Sequence, residues 1–451
     1  MTTKPVITVI GAASTTFGPK VLRDILNHPQ VGGSTLRFVD INQERLDIYT
    51  RLAHKLNRLL DEPITIQSTT DRRAVLAGSD YVIVSVDTGH YHTWEKDFSI
   101  PAGNGIRQIL GELGGPGGLF HSLRQIPLHL EIARDIEALC PDAMVMLASN
   151  PLNRICLAME RYGQVGEIVG LCHGVEMALY LYLNRILDID GDDMEVTAAG
   201  TNHLTWILDL RRRSNGEDLL PFMKARLGEM DDREQSLSRK LLDVYGYFSG
   251  TLDSHAGEYI PYAHEFYGVT GIDFAAYLNQ EHNRWAYLSR LADEDTEWEK
   301  YEQVYGSQSV LSEELRIDDF FKPRSWADTL AFPIIAAMTG NTVHRMPALN
   351  MVNTGQIENL PRGVFVETPG TVDGAGGIYP MTIGDLPKPL AAFCRRDIDQ
   401  MELTVEAGVT GDRNLVLQAM LLDPVVDSVR NAEQTLDEML KVHAQYLPQF
   451  A

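Results

Sequence analysis

Short runs of β-branched and apolar residues alternate with stretches of helical period along the first part of the chain, which predicts strands and helices in succession. Residues 6–10 (Val-Ile-Thr-Val-Ile) read as a strand. The run breaks at Gly11-Ala-Ala-Ser-Thr-Thr-Phe-Gly18 and becomes helical over 20–26. Residues 36–40 supply a second strand ending in Asp40, after which Leu46, Tyr49, Leu52, Leu56 and Leu59 recur at helical spacing. Further strands are predicted at 64–67, 81–86, 143–147 and 167–171, with a helical pattern over 122–139. Alternation of this kind argues for an α/β chain built on a doubly wound parallel sheet.

Beyond about residue 190 the pattern loosens into helical stretches broken by short strands, as expected of a second, mixed α+β domain covering a cleft. The division is placed at 1–190 and 191–451. The late run 401–422 reads as two helices joined at Gly411, and the charged stretch Arg395, Arg396, Asp397 and Asp399 reads as a solvated helix face. Trp206 reads as a core aromatic.

A length of 451 residues allows two or three domains and a large core. The net charge of -23 disfavours nucleic acid and anionic membrane as partners. The start of the chain has no basic leader with an apolar segment and a cleavage site, and no stretch approaches a membrane helix. Four cysteines, Cys140, Cys156, Cys172 and Cys394, are too few for a disulfide framework in so long a chain, and a reducing cytoplasm is expected.

Two patterns carry candidate chemistry. Cys172-His173 follows an apolar run, and Asn202-His203 stands in Gly-Thr-Asn-His-Leu-Thr-Trp. A thiolate and an imidazole, Cys172 and His203, suit a borderline divalent ion, and two protein ligands leave positions open for a substrate, as a catalytic metal requires. The strand, turn and helix at 6–26 form a dinucleotide-binding pattern in which Gly11, Ala12, Ser14 and Phe17 face the cofactor and Asp40 is placed to accept from a ribose. A metal beside a nicotinamide is a chemical pairing suited to hydride transfer at a carbon bearing oxygen.

Read in order, Ile10-Gly-Ala-Ala-Ser-Thr-Thr-Phe, Gly114-Gly-Pro-Gly-Gly118, Ala148-Ser-Asn-Pro151, Leu171-Cys-His-Gly, Gly200-Thr-Asn-His-Leu-Thr-Trp206, His255-Ala-Gly-Glu-Tyr-Ile-Pro261 and Val352-Asn-Thr-Gly-Gln-Ile-Glu-Asn-Leu-Pro361 resemble the landmarks of glycoside hydrolase family 4, nearly end to end. The resemblance implies a fold similar to lactate and malate dehydrogenases, NAD and a divalent metal, usually Mn2+, as cofactors, and glycoside cleavage by oxidation and elimination. In that scheme C3 oxidation acidifies the C2 proton, a base removes it, the glycosidic group leaves C1, water adds and the ketone is reduced back.

By the same resemblance Cys172 and His203 match the metal ligands, Asn150 and Asn202 are placed at the substrate, and Tyr259 matches the tyrosine that takes the C2 proton. His173 stands where an acid can protonate the leaving oxygen of an α-glycoside, and Cys-His-Gly implies an unphosphorylated sugar. Asp253 and His255 are reserves for the acid or for support of the metal site, with a polar loop surface as the preferred reading of Asp253. Arg284, His344 and Arg345 are candidates for binding an acidic C6 group, with ordinary surface charge as their other reading. Ala-Ala in the first turn departs from the glycine pattern and bears on cofactor affinity. The expected partner is a small glycoside, and the resemblance implies a homodimer or homotetramer. The competing readings are an NAD-dependent sugar or hydroxy-acid dehydrogenase and a retired sugar- or NAD-binding protein.

Overall fold

The inner strands of the parallel half of the sheet have side chains covered on both faces, which is why β-branched runs rather than alternating ones mark them, whereas the edge strand Thr65–Thr69 is largely exposed. In the computed structural model, residues 4–58, 60, 63–268, 270–293, 329–375 and 377–451 are described; Leu59 lies outside them. The strands are β1 (Val6–Ile10), β2 (Thr35–Val39), β3 (Thr65–Thr69), β4 (Tyr81–Val84), β5 (Met144–Leu147) and β6 (Ile168–Gly170). They lie side by side in the order β3-β2-β1-β4-β5-β6, all parallel. This is the order of a dinucleotide-binding sheet, as the sequence pattern predicted. Ile7, Val9, Ile83, Met146 and Val169 pack with Val21, Leu46 and Leu52 of the helices Phe17–Asn27 and Gln43–Asn57. Val82, Val84, Val145 and Leu147 point the other way, into a core shared with Ile126, Ile132 and Ile155 of Gly115–Leu139 and Leu152–Tyr162.

The remaining strands are β7 (Met194–Thr201), β8 (Leu204–Arg212), β9 (Phe248–Ser249), β10 (His344–Val352), β11 (Phe365–Asp373) and β12 (Gly377–Pro380). They do not form a detached sheet. β10 pairs antiparallel with β6 through Asn350 and Gly170, and β11, β7, β8 and β9 follow, so that one sheet of 12 strands runs through the described residues. The sequence led us to expect short strands here, whereas β7, β8, β10 and β11 have 8, 9, 9 and 9 residues. Their core residues come from widely separated segments, so no local period announces them.

Two helices of the second half pack back on the first. Lys388–Thr410 shares a core with Ile126 and Ile155 through Ile398, Met401 and Val405, and Ala331–Gly340 joins Ile25 and Val31 through Phe332 and Ile335. Gly411 (φ 71°) ends the first of the late helices and Arg413–Leu422 follows, as read from the sequence. The charged stretch within Lys388–Thr410 is not simply a solvated face. Asp397 is buried and accepts from Thr201 Oγ1 at 2.7 Å, and Arg396 donates to the Tyr259 carbonyl at 2.5 Å. Trp206 is buried on β8 and stacks on Phe393.

The first turn explains its glycine. Gly11 has φ 87°, and a Cβ there would stand 1.9 Å from the Ser85 carbonyl oxygen at the end of β4. Gly11→Ala is therefore expected to destabilise the chain by about 2–4 kcal/mol, from left-handed backbone strain plus displacement of Ser85. Chemical denaturation checks this, and an unchanged midpoint would mean that the turn adapts freely.

Candidate active site

The C-terminal ends of β1, β4, β5 and β6 carry Gly11, Ser85, Asn150 and Cys172, the edge at which ligands enter a doubly wound sheet. In the first turn the Gly11 and Ala12 amides donate to the Val39 carbonyl at 2.8 and 3.1 Å, which lays the turn across the end of β2. Asp40 braces it: Oδ2 accepts from the Ala13 amide at 3.1 Å and Oδ1 from the Asn42 amide at 2.9 Å. Ser14 Oγ accepts from the Thr16 and Phe17 amides at 3.2 and 3.0 Å and so starts the helix Phe17–Asn27. Ala12 and Phe17 are buried. Four of the five predicted cofactor residues thus lie in one turn, and the fifth, Asp40 at the end of β2, shapes it together with Ser14 through contacts with backbone amides.

Cys172 and His203, 31 positions apart, are brought together. His203 Nε2 lies 3.2 Å from Cys172 Sγ. β7 and β8 form a hairpin whose two turn residues are Asn202 and His203, and His203 takes φ 62°, a conformation uncommon for a non-glycine residue. The ring of His255 lies flat on that of His203, with centroids 4.6 Å apart and 1° between planes. Burial, followed by the neighbouring His255, holds the His203 imidazole well below its usual range, and burial also lowers His255 against the pull of Glu112. Both rings are thus kept neutral, the state in which imidazole binds a metal.

Acidic groups surround the pair. Burial, and next the charge of Glu367, pushes the Cys172 thiol up to about 12, with Glu112 adding to it. Glu112 accepts from Asn150 Nδ2 at 3.1 Å, and its charge acts on Cys172, His255 and Tyr259 alike, so these groups stand around it. A half-buried thiol, a neutral imidazole and nearby carboxylates with neutral hydrogen-bond partners form a donor set that a divalent cation would satisfy. Among the described residues no group of three or more His, Cys, Asp or Glu side chains is arranged to hold a metal.

Tyr259 is 8 % exposed. Burial, then Asp397, holds its phenol well above 10, while Arg154 pulls the other way. His173 directly follows Cys172 and begins the helix Gly174–Met177, its carbonyl accepting from the Met177 amide. Asp253, expected on a polar loop surface, is buried instead. Its carboxylate accepts from the Leu237 and Ser238 amides at 2.8 and 2.9 Å and from Ser238 Oγ, anchoring the start of Ser236–Tyr245. The three candidates for a C6 acid have partners on different elements. Arg284 donates to Thr16 Oγ1 at 3.0 Å above the first turn, Arg345 forms an ion pair with Glu195 on β7, and His344 pairs with Val372 on β11.

A turn of the dinucleotide-binding kind and a thiol–imidazole contact lie at one edge of the sheet, and comparison with known proteins decides the family. Residues 6–188 match the model of the family 4 glycosyl hydrolases and residues 198–426 the model of their C-terminal domain. The chain belongs to glycoside hydrolase family 4. It is 30% identical to an α-glucosidase of Erwinia rhapontici, over 98% of each chain. It is 31% identical to an α-galactosidase of Bacillus subtilis strain 168, over 98% of this chain and 99% of that one, and 31% identical to a probable 6-phospho-β-glucosidase of the same organism, over 99% and 97%. A solved 6-phospho-α-glucosidase from gut microorganisms, in complex with NAD and Mn2+, superposes with a TM-score of 0.81 at 20% identity, covering 99% of this chain and 100% of that one. No helix among the described residues is long and apolar enough to cross a membrane.

In this family 4 glycoside hydrolase the site contains acids that the sequence reading missed. Glu112 sits in a glycine-rich loop, where an isolated acid looks like a turn residue. Glu258 precedes Tyr259 and is buried. Its Oε1 accepts from the Glu112 and Leu113 amides at 2.9 and 3.2 Å, which fixes the loop bearing Glu112. Burial, then the charge of Glu112, raises its carboxyl to about 8. A carboxyl raised in the folded state stays protonated where the unfolded chain has already ionised, so it makes stability fall as pH rises from about 4.5 to about 8. The slope from this group reaches at most roughly 1.4 kcal/mol per pH unit. Glu258→Gln is expected to flatten that part of the stability profile, measured by urea unfolding across pH 5–9; an unaltered slope would place the proton elsewhere.

Proposed function

We propose that this glycoside hydrolase is an α-glycosidase that cleaves a small, unphosphorylated glycoside by transient oxidation at C3, proton removal at C2 and elimination of the C1 group, followed by water addition and re-reduction. The observation that carries the reading is the Cys172–His203 contact beside Asn150 and Glu112, at the same sheet edge as the Gly11 turn. Names of relatives support the α-anomer, an α-glucosidase and an α-galactosidase, and the NAD and Mn2+ of the superposed neighbour support the cofactors. When bound, NAD would supply a hydride acceptor and donor, and the divalent cation an electrophile for the sugar oxygens.

The chain's own residues then divide the work. Cys172 and His203 hold the cation. Gly11, Ala12, Ser14 and Phe17 receive the dinucleotide, with Asp40 at its ribose. Asn150 and Asn202 orient the sugar, and Glu112, through Asn150, fixes the amide that faces it. Tyr259 takes the C2 proton. In the protein alone its phenol is held protonated by burial, so it becomes a base only as positive charge enters the site, with Arg154 already pulling in that direction. His173 protonates the leaving oxygen. We place the cofactor half of the chain at 1–190 and the substrate and assembly half at 191–451, in a homodimer or homotetramer.

A panel of neutral, uronic, sulfonated and 6-phosphorylated glycosides of both anomers, assayed with NAD, Mn2+ and a reductant, tests the reading. Turnover confined to unphosphorylated α-glycosides supports it, and an acidic C6 group is the finer expectation within that class. Preference for 6-phospho-β-glycosides would overturn it, and NADH accumulating without cleavage would favour the dehydrogenase alternative.

A further inference from the structure

The hairpin carrying His203 rests on a buried carboxylate. Glu367 lies on β11, 2% exposed. Its Oε2 accepts from Asn202 Nδ2 at 3.0 Å and from Asn350 Nδ2 at 2.8 Å, and its Oε1 accepts from Thr205 Oγ1 at 2.5 Å. Both asparagines donate to Oε2, while the Thr205 hydroxyl, with one proton to give, lies within reach of Oε1 and, at 3.1 Å, of the Thr201 carbonyl; glutamine removes the charge that strengthens these bonds and keeps them only with its oxygen toward the asparagines and the Thr205 proton turned to Thr201.

The placement of those partners gives the carboxylate its reach. Asn202 and Thr205 flank His203 and Leu204 in the β7–β8 hairpin, holding both sides of a turn whose histidine sits at φ 62°. Asn350 stands opposite Gly170 on β6, two positions before Cys172, while Glu367 itself stands opposite Gly200 on β7 and Asn350 on β10. One side chain therefore ties the hairpin that delivers His203 to β10 at Asn350, the residue that pairs with the end of the strand delivering Cys172, at the seam between the parallel and antiparallel halves of the sheet.

We infer that Glu367 is a positioning residue that sets the spacing of Cys172 and His203 and thereby the affinity of the site for a divalent cation. The inference rests on the reading that this pair holds the cation. Groups that orient metal ligands without touching the metal characteristically change affinity by about 10–100-fold when removed.

The test compares the wild-type protein with Glu367→Gln, Thr205→Val and Cys172→Ala by titration with Mn2+ alone, followed by calorimetry, and with Co2+, followed by the thiolate-to-cobalt absorption band. Circular dichroism confirms folding of each variant. Glu367→Gln is expected to weaken Mn2+ binding about 10–100-fold and to shift the cobalt band, and Thr205→Val to weaken binding less. A purely structural role would lower the melting temperature while leaving the affinity and the band of the folded protein as in the wild type, and that result overturns the inference. Should Glu367→Gln not fold, Thr205→Val, which removes one donor and leaves the carboxylate in place, carries the same two outcomes. Cys172→Ala separates the two levels: if it binds Mn2+ like the wild type, the metal reading itself has failed, whereas if it alone loses binding, only the role of Glu367 has.

Discussion

Cys172→Ala is expected to lower kcat/KM on the preferred glycoside by about three orders of magnitude or more at saturating Mn2+, because a catalytic cation contributes several kcal/mol of charge stabilisation and each 1.36 kcal/mol is a factor of ten. The side chain is half-buried, lies 3.2 Å from His203 Nε2, and its thiol is held at about 12 by burial and by Glu367 in the protein alone. A thiol held so firmly protonated does little by itself, and a cation that displaces its proton turns it into a ligand. NAD affinity, measured by fluorescence, is expected to stay near the wild-type value, because the Gly11 turn is built on β1 and β2 and braced by Asp40. Activity within tenfold of the wild type would remove Cys172 from the site's chemistry.

Tyr259→Phe is expected to cost about 10²–10⁴-fold in kcat, the range of a lost general base. The substitution keeps the buried ring in its core and takes away only the hydroxyl, so the melting temperature should move little. The carbonyl of Tyr259 also accepts from Arg396, a backbone contact that phenylalanine retains. Steady-state kinetics with a melting curve separate the two readings: a large fall in kcat with an intact fold supports proton transfer by the phenol, and unchanged kcat assigns that proton to another group.

Much of the first half of the chain was legible from its pattern, and the reason is physical. β1, β4 and β5 are short runs buried on both faces, and the helix Gln43–Asn57 keeps one apolar stripe, so sequence and burial carry the same period there. The approach of Cys172 to His203 was legible from residue type, since a thiol and an imidazole that could share a cation had to meet in the fold. The supporting acids were not. Glu367 meets Asn202 across 165 positions and Glu258 meets the Glu112 amide across 146, and no local window holds both partners. An acid directly after Phe365 and Val366 at the start of β11 was the one available signal for Glu367, because a carboxylate in a buried strand must be paired. Asp253 and Asp397 were read as solvated for the same reason. One is buried by the helix it anchors and the other by its contact with β7, and neither partner is its neighbour in sequence.

The central claim is that the glycosidic bond breaks by elimination after loss of the C2 proton, with the nicotinamide restored at the end of each turnover. Incubation with NAD, Mn2+ and a reductant in deuterated water, followed by mass and NMR analysis of the released sugar, tests it most directly. Deuterium at C2 of the product is the predicted result, and hydrolysis that leaves C2 wholly protiated would contradict the account.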